Sequence, residues 1–188
     1  MRSVLLVFIM SIAFLAGCSA ESPADGHIEG GAYQNSFLRF SYVWPKSLQP
    51  VDSKSLNLPH TPSQDEFLLF SAKQGNEPFG VVIIAERLHV PTQHTNGIQD
   101  GADFLNKVIR SWDTSGKVLR RTRVVGSNGL SFDELDYFRD NGYGSAITTQ
   151  IGQFLVAFRC NAKTESDLLE MVRSVLASRR EASQLQVR

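Results

Sequence analysis

Two Asn-Gly dipeptides, Asn128-Gly129 and Asn141-Gly142, constrain the fold of this chain most, because they punctuate a strand-like stretch running from 117 to 160. Asn-Gly is the strongest short signal for a two-residue hairpin turn, since both central residues must accept positive φ. Such a turn at Asn128-Gly129 places Arg121 opposite Asp136, Arg123 opposite Glu134 and Lys117 opposite Asp140. It also places Val125 opposite Phe132 and Leu119 opposite Phe138. Complementary cross-strand pairs stabilise by roughly 0.2–1 kcal/mol each, and a slip of one residue exchanges every partner. A further turn near Ile151-Gly152 makes residues 117–160 a four-stranded antiparallel meander.

The rest of the chain supplies helices and shorter strands. Phe37, Phe40, Tyr42 and Trp44 predict a strand over 36–44, stopped by Pro45, with a loop over 45–64. Residues 66–72 and 79–88 predict a hairpin around Gln74-Gly75-Asn76-Glu77. The continuous run Val81-Val82-Ile83-Ile84 suits a central strand covered on both faces. Ile98, Ala102, Leu105, Val108, Ile109 and Trp112 recur at helical spacing, with Asn96 or Asp100 as N-cap and Gly116 beyond the end. A last helix opens on the capping-box-like Thr164-Glu165-Ser166-Asp167, and Leu168, Leu169, Val172, Val175 and Leu176 form its apolar face. Arg179-Arg180 lies near its C-terminus, where the helix dipole favours cations. Hairpin, helix, four-stranded meander and C-terminal helix predict one α+β domain over residues 34–180, an antiparallel sheet with helices packed on it. Residues 181–188 read as a frayed tail, and no internal repeat is present.

The N-terminus has a different character. Arg2 precedes an apolar run from Val4 to Leu15 broken only by Ser11, and Ala16-Gly17 follows. A run this short is a signal peptide pattern, well under the roughly 20 residues of a membrane-spanning helix. The ending Leu15-Ala16-Gly17-Cys18 resembles the lipobox of bacterial lipoprotein precursors. That resemblance implies removal of residues 1–17, a diacylglyceryl group on the Cys18 thiol and often a fatty acid such as palmitate on the new amino group. Two or three acyl chains, at about 0.8 kcal/mol per buried methylene, anchor a domain stably to a membrane. Ser19 lacks the Asp that resembles an inner-membrane retention signal, which points to the periplasmic side of the outer membrane if the cell has two. Residues 18–33 then read as a lipidated flexible tether with a span of roughly 20 Å.

Composition narrows the chemistry. With 19 Lys and Arg against 19 Asp and Glu, the chain has no electrostatic footprint for nucleic acid. Of its two cysteines, lipidation of Cys18 leaves Cys160 without a partner, in the apolar run Phe154-Leu155-Val156-Ala157-Phe158 that suggests an inert buried thiol. No nucleophile elbow, phosphate loop, dinucleotide fingerprint or His-Glu-x-x-His helix is present. Ser145 in Tyr143-Gly144-Ser145-Ala146 lies within a predicted hairpin and reads as structural. His60, His89 and His94 would make a zinc site only if two loops met, and Pro91 interrupts the last pair. Asp133, Glu134, Asp136 and Asp140 face arginines in the trial register and read as a salt-bridge ladder rather than a calcium or glycosidase site. No catalytic, cofactor or metal residue is assigned.

A looser resemblance concerns the domain itself. Tyr33-Gln34-Asn35-Ser36-Phe37 entering Phe40-Ser41-Tyr42-Val43-Trp44-Pro45, then Leu135-Asp136-Tyr137 and the Thr164-capped helix, resemble the PsbP-like or DcrB-like α/β/α sandwich over about 35–180. The resemblance implies an assembly, docking or accessory domain, and it carries over no functional residue. The expected role is a membrane-tethered, non-catalytic binding or assembly domain of the cell envelope, with an envelope protein as partner. The alternative is an envelope enzyme or a metal- or small-ligand-binding lipoprotein, its site built from loops 45–64 and 89–97.

Overall fold

A computed structural model describes residues 22–52, 65–89, 97–112, 116–127 and 129–180. Four short strands come first: β1 (His27–Glu29), β2 (Ala32–Asn35), β3 (Phe40–Tyr42) and β4 (Gln49–Pro50). The hairpin β5 (Glu66–Lys73) and β6 (Gly80–Arg87) precedes helix α1 (Gly101–Arg110). The meander follows as β7 (Lys117–Val125), β8 (Ser131–Arg139), β9 (Gly142–Ile151) and β10 (Phe154–Ala162). Helix α2 (Glu165–Leu176) and the two-residue β11 (Arg179–Arg180) close the described chain.

A seven-stranded antiparallel sheet carries the order β4-β5-β6-β10-β9-β8-β7. Strand β10 pairs with β9 on one side and β6 on the other, so the first hairpin and the meander fuse into one sheet. That places Val81–Ile84 in an interior strand, as their unbroken apolar run predicts. Phe104, Leu105 and Val108 of α1 cover one face, over Ile84, Leu135, Ala146 and Leu155. Met171, Val172 and Val175 of α2 share the opposite face with Tyr33, Phe40 and Tyr42, all packed over Ile83, Ile147, Val156 and Phe158. The described residues thus form an α+β domain with one helix on each side of an antiparallel sheet.

Both helix starts are local devices. Asp100 accepts a hydrogen bond from the Asp103 amide at 2.8 Å, and Thr164 accepts one from the Asp167 amide at 3.2 Å. Each satisfies a donor that the first helical turn leaves without a partner.

Several expectations need correction. Residues 36–44 do not form one strand. The Asn35 side chain accepts from the Leu38 amide at 2.8 Å, Arg39 adopts a φ of 50°, and the chain reverses into a β2–β3 hairpin. Residues 22–33, expected to be tether, carry β1 and the start of β2, and Asn35 Nδ2 donates to the Pro23 carbonyl at 2.7 Å. Arg179 and Arg180 add a short strand to β3 instead of ending a helix. Residues 1–21, including Cys18, and the tail 181–188 lie outside the described residues.

The meander turns also differ by one residue from the trial register. Gly129 takes a φ of 77° and donates to the Gly126 carbonyl at 3.0 Å, while Gly126 donates to the Leu130 carbonyl at 2.9 Å. The loop therefore holds three residues, not two, the arrangement in which a left-handed glycine completes a type I turn. Arg123 now faces Asp133, Arg120 faces Asp136 and Val124 faces Phe132, with an irregularity between Val118 and Arg120. In the second turn Asp140 and Asn141 supply the positive φ values of 54° and 60°, and Gly142 already pairs within β9.

Candidate functional site

Face alternation along β10 sets up the most enclosed polar feature of the α1 side. Leu155 and Ala157 lie under α1, and the same face continues into Arg159 and Asn161 beyond the helix's last turn. On β8, Tyr137 follows Leu135 onto this face, and its ring packs 4.9 Å from Trp112 at the end of α1. Phe79, Arg139, Tyr143 and Ser111 complete a cleft of about 350 Å³.

Glycines allow the aromatic walls to close in. A Cβ on Gly144 would sit 2.2 Å from the Tyr137 ring, and one on Gly116 would sit 2.6 Å from the Trp112 ring. Both positions must stay bare for these rings to lie where they do. Gly142 is held for a related reason, since its missing Cβ would meet the Ala162 carbonyl at 3.2 Å.

The polar groups of the cleft are mostly donors. Tyr137 donates its hydroxyl to Asn161 Oδ1 at 3.1 Å, and burial pushes its pKa up to about 12, so the hydroxyl keeps its proton at neutral pH. The Arg159 guanidinium lies 5.5 Å from the centre of the Phe104 ring, and its buried Nε has no hydrogen-bond partner. Arg139 Nε lies 3.0 Å from Asp140 Oδ2.

The acidic cluster on β8 lies partly on the other face. Arg120 Nη2 donates to Glu134 Oε1 at 2.6 Å, and Arg120 Nε donates to Asp136 Oδ2 at 2.9 Å. Glu134 is 1% exposed whereas Arg120 is 54% exposed, so the guanidinium covers a buried carboxylate from the solvent side. Burial, reinforced by the neighbouring Asp136 charge, raises the Glu134 pKa above its ordinary value. Asp133 points to the α1 face, where Arg123 binds it through two bonds of 2.8 and 3.0 Å. The ladder is present but with other partners than the trial register: Arg121 instead reaches Asn106 and the Ala102 carbonyl on α1.

The remaining sequence candidates are dispersed. His89 lies 3.4 Å from Asp65, and His27 lies 3.5 Å from Glu29 on the exposed strand β1. His60 and His94 lie outside the described residues, among which no group of three His, Cys, Asp or Glu side chains is placed to hold a metal. Ser145 is buried in β9. Cys160 is buried in β10, and burial pushes its thiol up to about 12, which keeps it protonated and unreactive. Sequence reasoning passed over Arg159, Tyr137 and Asn161. The available signal was Arg159 itself, a charge interrupting the apolar run of β10.

No protein-family model and no curated protein sequence matches this chain.

Proposed function

We propose that this protein is a lipid-anchored, non-catalytic binding or assembly domain of the bacterial cell envelope, held to its membrane through Cys18. The observation that carries the reading is the Leu15-Ala16-Gly17-Cys18 ending of an apolar leader. On this reading the folded body stays close to the membrane. Ser22 already joins a turn closed by Asp25, and the four residues from Cys18 reach about 14 Å at full extension. A domain tethered so closely rests against the headgroups instead of ranging from them. Serine at position 19 favours the periplasmic side of the outer membrane where two membranes exist. The element order and the helix on each face of the sheet support kinship with PsbP-like and DcrB-like sandwiches, whose roles are docking and assembly.

The cleft beside α1 supports a binding role for the domain. Most of its polar groups donate hydrogen bonds, and Tyr137 stays protonated at neutral pH. The cleft is the place the described residues offer for a small ligand, while most of loops 45–64 and 89–97 lies outside them.

Fractionation with a labelled fatty acid tests the anchor. The wild-type chain should take up label and sediment with membranes. Cys18→Ser should do neither, with its fold unchanged by circular dichroism. A Cys18→Ser chain that still sediments, or a wild-type chain that takes up no label, overturns the anchor.

A further inference from the structure

Two arginines, Arg139 and Arg159, line the cleft at the C-terminal end of α1. Arg159 makes no ion pair among the described residues, and its Nε is buried with no hydrogen-bond partner. The Phe104 ring offsets part of this through its π face, but an aromatic quadrupole does not replace a hydrogen-bond acceptor. Only Nε is cut off from water while the side chain as a whole is half-buried, and a buried donor left without an acceptor costs free energy.

The groups around Arg159 define what such an acceptor looks like. Asn161 uses Oδ1 to accept the Tyr137 hydroxyl, which leaves its Nδ2 to donate into the cleft. Among the described residues the one carboxylate of the lining, Asp140, is 72% exposed and lies beside Arg139 at the rim. Much of the remaining wall is apolar, from Pro78, Phe79, Val108 and Trp112. The volume of about 350 Å³ is at the small end of ligand sites.

We propose that this cleft binds a small organic acid in which a carboxylate is attached to a flat apolar group. The carboxylate sits on Arg159 and Asn161, and the flat group lies against Trp112. A planar carboxylate matches the fork of a guanidinium, and the ring takes the apolar wall that a bare anion would leave wet. The proposal names the ligand class of the binding domain proposed above and rests on that reading, although it does not depend on the lipid.

The test uses the full chain purified from membranes in mild detergent and followed by the indole N–H resonances of its two tryptophans. Trp44 stacks on Phe70 on the opposite face of the sheet and serves as the internal reference. Benzoate, its neutral analogue benzamide and inorganic phosphate are titrated separately. Benzoate should move the Trp112 signal and not the Trp44 signal, with a Kd on the order of 1 mM for so small a probe. Benzamide and phosphate should each bind at least about tenfold more weakly, a separation of about 1.4 kcal/mol.

Arg159→Met keeps the aliphatic stem over Phe104 and should remove benzoate binding. Should that variant fail to fold, Asn161→Ser is read instead, with a loss of several-fold expected. Three results overturn the proposal: no Trp112 shift with benzoate, equal binding of benzamide or phosphate, or wild-type affinity in the folded variant. Because the readout is independent of membrane attachment, failure here leaves the fractionation result standing, and failure of the anchor leaves this measurement interpretable.

Discussion

Glu134 shows how far one residue's surroundings shape its behaviour. Its carboxylate is buried beside Asp136, and among the described residues only Arg120 offers it positive charge. Burial outweighs that attraction, so the group binds its proton more tightly folded than unfolded. A raised folded pKa contributes stability that is complete below the unfolded value of about 4.3 and is lost as pH rises through the folded value. Glu134→Gln removes this contribution. Denaturant melts of the two chains should show wild type gaining on the variant as pH falls from about 7 to 4. A stability difference that stays constant across that range would refute the assignment. Cys160, enclosed on the same face, should by contrast stay unreactive to alkylating reagents until the protein unfolds.

At the scale of elements, the meander positions the cleft, and glycines in β9 let its aromatic side chains close in. Gly144→Ala drives a methyl group into the Tyr137 ring, and such overpacking costs about 1–3 kcal/mol. The same change in a Tyr137→Ala background should cost well under half as much by chemical denaturation. Equal costs in both backgrounds would show that the backbone of β9, not the ring, is what position 144 protects. The same meander explains why the trial register failed. Asp133, Glu134 and Asp136 offer a carboxylate to the opposing arginines in more than one register, so charge complementarity survives a slip of one residue. Turn geometry decided instead, through a three-residue loop and the left-handed Gly129. The capped starts of both helices were legible, because each depends on a side chain bonding an amide three residues away.

For the whole molecule, the small sheet β1-β2-β3-β11 is the part most dependent on long-range packing. Phe158 at the centre of the large sheet meets Phe40 at 5.7 Å and Tyr42 at 5.9 Å, tying the N-terminal strands to the body. Phe158→Ala should cost about 3–5 kcal/mol. Hydrogen exchange should quicken in β2 and β3 more than in β8 and β9. Unchanged protection in β2 and β3 would mean that the small sheet is held by something other than this aromatic contact. With the anchor proposed at Cys18, that sheet is also the part of the domain nearest the membrane in sequence.

By itself the sequence determined the secondary elements whose energetics are local: the two capped helices, the first hairpin, and a meander whose turns need positive φ. It also determined the interior place of β6, since a strand apolar on both faces has to be covered twice. Only the tertiary structure decided the rest. The strand register depended on one turn residue, and the N-terminal hairpin depended on Asn35 turning the chain. The cleft depended on β10 pairing with β9 on one side and β6 on the other, which carries Arg159 and Asn161 to Tyr137 and the end of α1. Hydrogen bonds that span three or four residues leave a trace in residue order. Side chains converging from β8, β10 and α1 leave none, because their neighbours are chosen by packing.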